Sequence, residues 1–181
     1  WHTENPETDP WEWRMRVLDE RNDIAYAKVF FKKSGYITKE WYPYFLSARR
    51  GGASFYDAYE DGKMSHVAKR IYEAVENAET LSVPDIKRIA GFGKDDKSAF
   101  DKALTELQMG LFLTMCGRQH NPTNGNWSAT VFCTTEHFWG NDVFVEAENI
   151  SSEIAVEKIT SQILHLNPEA VDKKIKKFIL G

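Results

Sequence analysis

The sequence has 181 residues and a formal net charge of −4, so it is long enough for one large or two small domains and lacks the overall basic charge that attracts phosphate. No apolar run approaches the roughly 18 residues of a membrane-spanning helix, and we expect no membrane association. The two cysteines form no Cys-x-x-Cys motif, which favours a reducing cytosol over a disulfide framework. We therefore expect a cytoplasmic globular protein that needs no cofactor.

The first 64 residues are predicted to form an arm followed by helices. Residues 1–10 are polar with two prolines and are expected to be the arm. The apolar spacing within Trp11–Leu18 predicts a helix with arginines on its other side. Ile24–Phe31 is expected to continue this helix or to begin a second one, and Phe55–Tyr59 adds a short helical turn.

The segment Tyr36–Arg50 is rich in aromatic rings and ends in two arginines. Such rings usually belong to the core, so one interpretation is an aromatic layer packed against the rest of the protein. In the alternative, the rings of Trp41 and Tyr44 form a surface that stacks on a base. Arg49 and Arg50, at the end of the segment, would then bind phosphate.

Residues 65–140 carry the pattern on which the predicted fold depends. Ser65 is a suitable N-cap for a first helix, in which apolar residues recur at helical spacing. Ser82 begins a second helix, and a third helix starts near Asp95.

Behind the third helix, the period of the sequence changes from that of a helix to that of strands. Leu111–Cys116 and Trp127–Thr135 are rich in β-forming residues, and a Gly/Asn/Pro-rich piece separates them, which predicts a β-hairpin. Three helices that lead into a β-hairpin predict a winged helix-turn-helix, a unit that suggests nucleic-acid binding. The fold class that we predict is α+β, mainly α, with this core at 65–140, an aromatic-rich helical segment at 1–64 and a C-terminal helical pair at 141–181. We expect the three parts to pack as one compact unit.

The C-terminal helical pair has recognisable starting points. Val143–Val145 is either a short edge strand or the lead into a helix. Ser151 or Ser152 caps the first helix of the pair, and Asn167–Glu169 begins the last helix.

The predicted winged unit has a mixed surface. The outward face of its third helix consists of Ser98, Asp101, Lys102, Thr105, Glu106 and Met109. Because carboxylates repel phosphate, this face suits a scaffold or protein-contact module as well as a sequence reader. The densest cationic patch lies on the last helix, where the ordinary alternative is a solvated face. The residues that could contact DNA are Arg14, Trp41, Tyr44, Arg49, Arg50, Lys97, Lys102, Arg118, Asn121, Lys173, Lys174 and Lys177.

Two Cys-x-x-x-His pairs invite a zinc interpretation; they are Cys116 with His120 and Cys133 with His137. If the cysteines face each other across the hairpin, antiparallel strands send the histidines to opposite ends, because four strand residues span roughly 13 Å. We therefore expect no metal, and buried thiols with ordinary histidines instead. The sequence contains no GxSxG, P-loop, HExxH or GxGxxG motif.

Several stretches resemble one known family. They are Trp11–Arg14, Lys39–Leu46, Arg49–Arg50 and His66–Thr135. The last of these stretches includes Leu107–Met109 and Val131–Thr135. Over nearly its whole length the sequence resembles the short AlkZ-related proteins, relatives of the winged-helix DNA glycosylases of the AlkZ/YcaQ type. This resemblance implies a tandem or composite winged-helix fold associated with DNA repair.

The catalytic motif of the full glycosylases is missing from this sequence. Those enzymes are similar to one another in using a Gln-x-Gln or Gln-x-Asp motif to position water at the glycosidic carbon. The glutamines here are Gln108, Gln119 and Gln162, and none of them forms such a motif. The resemblance therefore transfers no catalytic residue.

Three functions stay open at this point. The leading hypothesis is a winged-helix protein that binds DNA weakly through shape and phosphate, without catalysis. The second is a residual DNA glycosylase in which Glu12 or Glu40, beside the surface of Trp41 and Arg49, activates water. The third is a protein- or small-ligand-binding module that uses the aromatic cluster.

Overall fold

The computed structural model describes residues 3, 5, 7–120 and 128–181. In chain order the elements are α1 (Pro10–Glu20), β1 (Ile24–Phe30), β2 (Lys33–Thr38), α2 (Tyr42–Arg50), α3 (Phe55–Glu60), α4 (His66–Ala78), β3 (Thr80–Ser82), α5 (Val83–Ile89), α6 (Lys97–Met109), β4 (Leu113–His120), β5 (Ser128–Thr134), α7 (Thr135–Trp139), α8 (Asp142–Glu148), α9 (Ser152–Leu166) and α10 (Asp172–Leu180). The strands pair antiparallel in a five-stranded sheet with the order β2-β1-β4-β5-β3. The protein is therefore α+β, and its sheet is larger than the predicted hairpin.

The expectation of a helix over Ile24–Phe31 is wrong, because this stretch forms the strand β1. Residues Ile24–Ala27 are all buried, so both faces of the strand are covered and no apolar–polar alternation marks it. The two-residue turn Phe31–Lys32 connects β1 to β2, with φ angles of 53° and 61°. Ser34–Gly35 lies inside β2.

The predicted order of three helices followed by a β-hairpin over residues 65–135 is confirmed. The Ser65 hydroxyl accepts a hydrogen bond from the Ala68 N–H and caps α4. The Ser82 hydroxyl accepts one from the Asp85 N–H and caps α5. Local capping chemistry therefore places the first two helices where the sequence predicts them.

The hairpin of β4 and β5 is longer than predicted. β4 continues past Cys116, its predicted end, to His120. A register shift between Met115 and Gly117 marks a β-bulge in this strand. Residues 121–127, which comprise the second half of the predicted loop and the first residue of the predicted second strand, lie outside the described residues. The short strand β3 pairs with β5 on its other side.

The helical pair predicted at 141–181 is present as α9 and α10, and the short helices α7 and α8 precede it. Val143–Val145 lies in α8, so the alternative of an edge strand is wrong. Ser151 caps α9 as predicted. The last helix begins at Asp172 rather than at Asn167–Glu169, because a turn occupies those residues.

Two hydrophobic clusters pack on the sheet. One cluster contains Tyr26 together with residues of α3, α4 and α6, and the other contains Ala25 and Ala27 with residues of α2, α9 and α10. Successive side chains of a strand point to opposite faces, so β1 contributes to both clusters. The strand β1 is thus shared by the two clusters, whereas β2 lies at the edge of the sheet.

Among the described helices, none combines the length and the apolar character that crossing a membrane requires.

Candidate anion-binding cavity

A cavity of about 690 Å³ lies where the β1–β2 hairpin, α6 and the C-terminal ends of α2 and α10 meet. We call it the basic cavity. Its ionisable lining residues are Lys28, Lys32, Arg49, Arg50, Lys63, Lys102 and Glu106. This lining has six cations and one carboxylate, whereas the whole chain has a net charge of −4, so positive charge is concentrated here against the overall balance.

The lysines of the basic cavity have few competing partners. Lys28 and Lys32 form no ion pair with any residue that the structure describes. Lys102 lies 3.8 Å from Glu106 with its side chain 77% exposed, an arrangement that contributes little in water. Lys63 has a carboxylate neighbour at 2.8 Å, also on the surface. An anion that enters the cavity therefore meets ammonium groups that are available to bind it.

Arg49 holds the walls of the basic cavity together. Its Nε donates to the Ile179 carbonyl at 2.7 Å, its Nη1 to the Met109 carbonyl at 2.7 Å and its Nη2 to the Phe178 carbonyl at 2.8 Å. Burial lowers the pKa of this guanidinium to about 10, which leaves it charged at neutral pH. The side chain therefore joins α2 to the ends of α6 and α10, and it uses donors that would otherwise bind phosphate.

Arg50 is also bonded inside the protein. Its Nη2 pairs with Glu136 Oε1 at 2.9 Å, and its Nε donates to the Ala53 carbonyl at 3.0 Å. The guanidinium lies 4.5 Å from the centre of the Phe112 ring and 5.4 Å from that of Phe144. The side chain is only 8% exposed. Both arginines thus add positive charge to the cavity from fixed positions.

The outward face of α6 forms one wall of the basic cavity. Four of its six predicted residues line the cavity; they are Lys102, Thr105, Glu106 and Met109. On the inner side of the helix, the buried Gln108 accepts a hydrogen bond from the Lys28 N–H at 3.0 Å and donates one to the Leu104 carbonyl at 2.9 Å. This amide anchors β1 to α6 and so fixes the backbone position of Lys28.

Other candidate residues lie outside the lining of the basic cavity. Arg118 Nη1 pairs with Glu12 Oε2 at 2.6 Å, so a candidate DNA ligand and a candidate catalytic carboxylate neutralise each other. The Arg14 carbonyl accepts a hydrogen bond from the Tyr36 hydroxyl at 3.1 Å. Lys97 is exposed at the start of α6. The structure therefore does not bring these residues together with the cavity lysines.

The lysines of α10 form a second cationic surface. Lys173, Lys174 and Lys177 are exposed, and none of them lines the basic cavity. Ile175 of the same helix is buried in the core. The structure therefore presents two separate cationic surfaces. Asn121, the remaining candidate, lies outside the described residues.

The aromatic candidates lie in another part of the protein. The rings of Trp41 and Tyr44 are half-buried around the start of α2, with their centres 5.7 Å apart. Trp41 lines an apolar pocket of about 250 Å³ together with Phe45. Glu40 is exposed beside it and does not line the basic cavity. The rings predicted to stack on a base are therefore not part of the basic cavity.

The cysteines of the two Cys-x-x-x-His pairs are neighbours, but the histidines are not. A hydrogen bond from Cys133 lowers the pKa of the Cys116 thiol, while that bond and burial raise the pKa of Cys133. His120 ends β4, whereas His137 lies on α7, beyond the opposite end of β5. No group of three or more His, Cys, Asp or Glu residues in the described part of the chain could hold a metal ion.

Lys28, Lys32 and Lys63 are site residues that sequence reasoning did not identify. Lys28 and Lys32 belong to the β1–β2 hairpin, whose sequence shows no alternation of apolar and polar residues. Lys63 belongs to the connector between α3 and α4. The β-forming residues of Ile24–Phe30 are the signal that could have placed Lys28 on a strand.

Fold and site together define an α+β protein with a strongly cationic cavity beside the third of three successive helices. A family model described as "AlkZ related" matches residues 1–180, and the chain belongs to this family. The resemblance noted from the sequence is therefore confirmed. No curated protein and no solved structure matches the chain.

Proposed function

We propose that this protein binds DNA through phosphate contacts in the basic cavity, as a winged-helix member of the AlkZ-related family without catalytic activity. The membership supports a link to DNA-repair glycosylases, because the family is named for its relation to them. The observation that carries the proposal is the cavity lining of six cations and one carboxylate.

The order of elements supports the winged-helix part of the proposal. α4, α5 and α6 are followed by the β4–β5 hairpin, and β3, between α4 and α5, pairs with β5. Three helices closed by a small antiparallel sheet are the arrangement that a winged helix uses. In this interpretation, β1 and β2 extend the sheet of the winged unit through the pairing of β1 with β4.

The contacts of the candidate carboxylates favour binding over catalysis. Glu12 is engaged by Arg118 at 2.6 Å, and Glu40 is exposed to solvent outside the cavity lining. A general base needs a position within reach of the water that it activates and of the reacting atom. Neither carboxylate has such a position at the basic cavity.

A salt titration of DNA binding tests the proposal. We expect labelled duplex and single-stranded oligonucleotides to bind at low salt, with log K falling against log salt at a slope of about −0.9 per phosphate contact for the duplex and −0.7 for the single strand. The double variant Lys28→Gln/Lys102→Gln should weaken binding and reduce this slope. Absence of binding to either oligonucleotide at low salt would remove the DNA proposal.

Two further variants separate the cavity from general charge. Lys39→Gln/Lys158→Gln also removes two positive charges, but from exposed positions outside the cavity lining. This variant should leave binding nearly unchanged. Lys173→Gln/Lys174→Gln/Lys177→Gln tests the surface on α10. If only this triple variant abolishes binding, the DNA contact lies on α10 and not in the cavity.

A further inference from the structure

The C-terminal half of the α6 face that a winged helix would present to duplex DNA forms one wall of the basic cavity. The turn with Lys32, the connector with Lys63 and Met64, and the end of α10 at Leu180 all contribute to the same cavity as α6. A recognition helix reads the major groove by lying in it with an accessible face. The C-terminal half of α6 therefore shares its outward face with three neighbouring segments, which narrow the approach of a duplex groove to this face.

The dimensions of the basic cavity suit one small unit of a ligand. Its volume of about 690 Å³ falls within the roughly 300–1,000 Å³ of sites that enclose small molecules. Such a space admits a phosphate with its sugar and base. It does not admit two paired strands.

The lining combines cationic and apolar chemistry. Lys28, Lys32 and Lys102 supply ammonium groups, whereas Met64 and Met109 are half-buried thioether side chains in the same lining. Ammonium groups attract phosphate, and methionine sulfur packs favourably against aromatic rings. A ligand with one anionic group and one planar ring matches both features.

We propose that the basic cavity binds a single nucleoside phosphate, with its phosphate on the lysines and its base against the methionines. This inference rests on the proposed DNA binding, and it names a nucleotide of single-stranded DNA, rather than the duplex, as the bound unit. A free mononucleotide presents the same chemistry, so the experiment has to distinguish the two sources.

Competition binding with the full chain tests the inference. The probe is a labelled oligothymidylate, compared with a blunt hairpin duplex at the same salt concentration, with AMP and inorganic phosphate as competitors. We expect the single strand to bind about ten-fold more tightly than the duplex. AMP should displace it at concentrations where inorganic phosphate does not.

Two sets of variants test whether the preference for single-stranded DNA arises in the basic cavity. Lys28→Gln/Lys102→Gln should reduce the salt slope for the single strand by about 0.7, since both lysines contact one phosphate and each neutralised phosphate contributes about 0.7. Met109→Thr should weaken competition by AMP but not by phosphate, and Met109→Leu should restore it. A merely structural role of Met109 would change both competitors alike.

The outcomes separate the two proposals. Equal binding of duplex and single strand, both weakened alike by the lysine variant, overturns the nucleotide inference and leaves DNA binding in place. If inorganic phosphate displaces the single strand as effectively as AMP does, the inference is also overturned. If neither DNA binds but direct titration calorimetry detects binding of AMP, the nucleotide site is supported with a free nucleotide as its ligand, and the proposed function is overturned. If nothing binds, both proposals fail.

Discussion

At the scale of single residues, Arg49 connects three helix ends through one guanidinium. We expect Arg49→Met to lower the free energy of unfolding by about 3 kcal/mol, because three carbonyl groups at the ends of α6 and α10 lose a charged donor. Urea denaturation measures this change. Arg49→Lys should recover only part of it, because one ammonium cannot reproduce the planar fork of donors.

The matched control for Arg49 is Arg16→Met on α1. Arg16 is 52% exposed and lies 3.5 Å from Glu20, an exposed pair that contributes less than about 1 kcal/mol. If both substitutions change the unfolding free energy equally, the bonds of Arg49 to the helix ends do not stabilise the protein.

Gln108 supports the site from below. Gln108→Leu removes the acceptor of the Lys28 N–H inside the protein, so we expect a loss of about 1–3 kcal/mol in unfolding free energy. Gln162→Leu, at an exposed position of α9, serves as the control and should change stability little. Equal stability of the two variants in urea denaturation would show that the buried amide contributes nothing.

The roles of Arg49 and Arg50 show why site residues are hard to assign from sequence. The pattern of two adjacent arginines after aromatic residues predicts cations at a site, and both do line the basic cavity. Whether a guanidinium bonds phosphate or protein carbonyls depends on which distant segments end nearby. For Arg49, one such partner is Phe178, 129 positions along the chain. Sequence spacing contains no information about that contact.

At the scale of elements, the helices with local signals were predictable and the first hairpin was not. α4 and α5 have serine caps and apolar spacing that are visible in a short window. β1 is buried on both faces, and its turn is Phe31–Lys32 rather than the Asn-Gly pair that marks such hairpins. The position of Lys28 and Lys32 at the cavity therefore depends on the pairing of β1 with β2 and β4, which the sequence does not reveal.

The β1–β2 turn also supplies a test of backbone strain. Lys32 has a φ of 61°, a region in which a side chain costs roughly 1 kcal/mol and glycine costs nothing. We expect Lys32→Gly to raise the free energy of unfolding by about 0.5 kcal/mol, because glycine also increases the freedom of the unfolded chain. The same variant should bind single-stranded DNA less tightly, since it removes a cavity lysine.

Lys33→Gly is the control for the turn substitution. Lys33 begins β2 and pairs with Phe30, so glycine there should lower stability by about 0.5–1 kcal/mol. The two adjacent substitutions are expected to change the thermal midpoint in opposite directions. A decrease of similar size in both would contradict the strained geometry of the turn.

At the scale of the whole molecule, the sheet joins the two hydrophobic clusters. β1 contributes to both clusters and pairs with β4, while Arg49 and Arg50 reach from α2 to residues of α6, α10 and α7. The basic cavity lies at this junction. Its geometry therefore depends on both clusters being folded at once.

This arrangement predicts cooperative unfolding of the chain. Ile71 on α4 and Ile179 on α10 are each fully buried, one in each cluster. Ile71→Val and Ile179→Val should each lower the free energy of unfolding by about 0.5–1.5 kcal/mol, and each should increase amide hydrogen exchange equally in α4 and α9. If Ile179→Val accelerates exchange in α9 and α10 but leaves α4 unchanged, the two clusters unfold separately. The cavity between them would then open without loss of the three-helix unit.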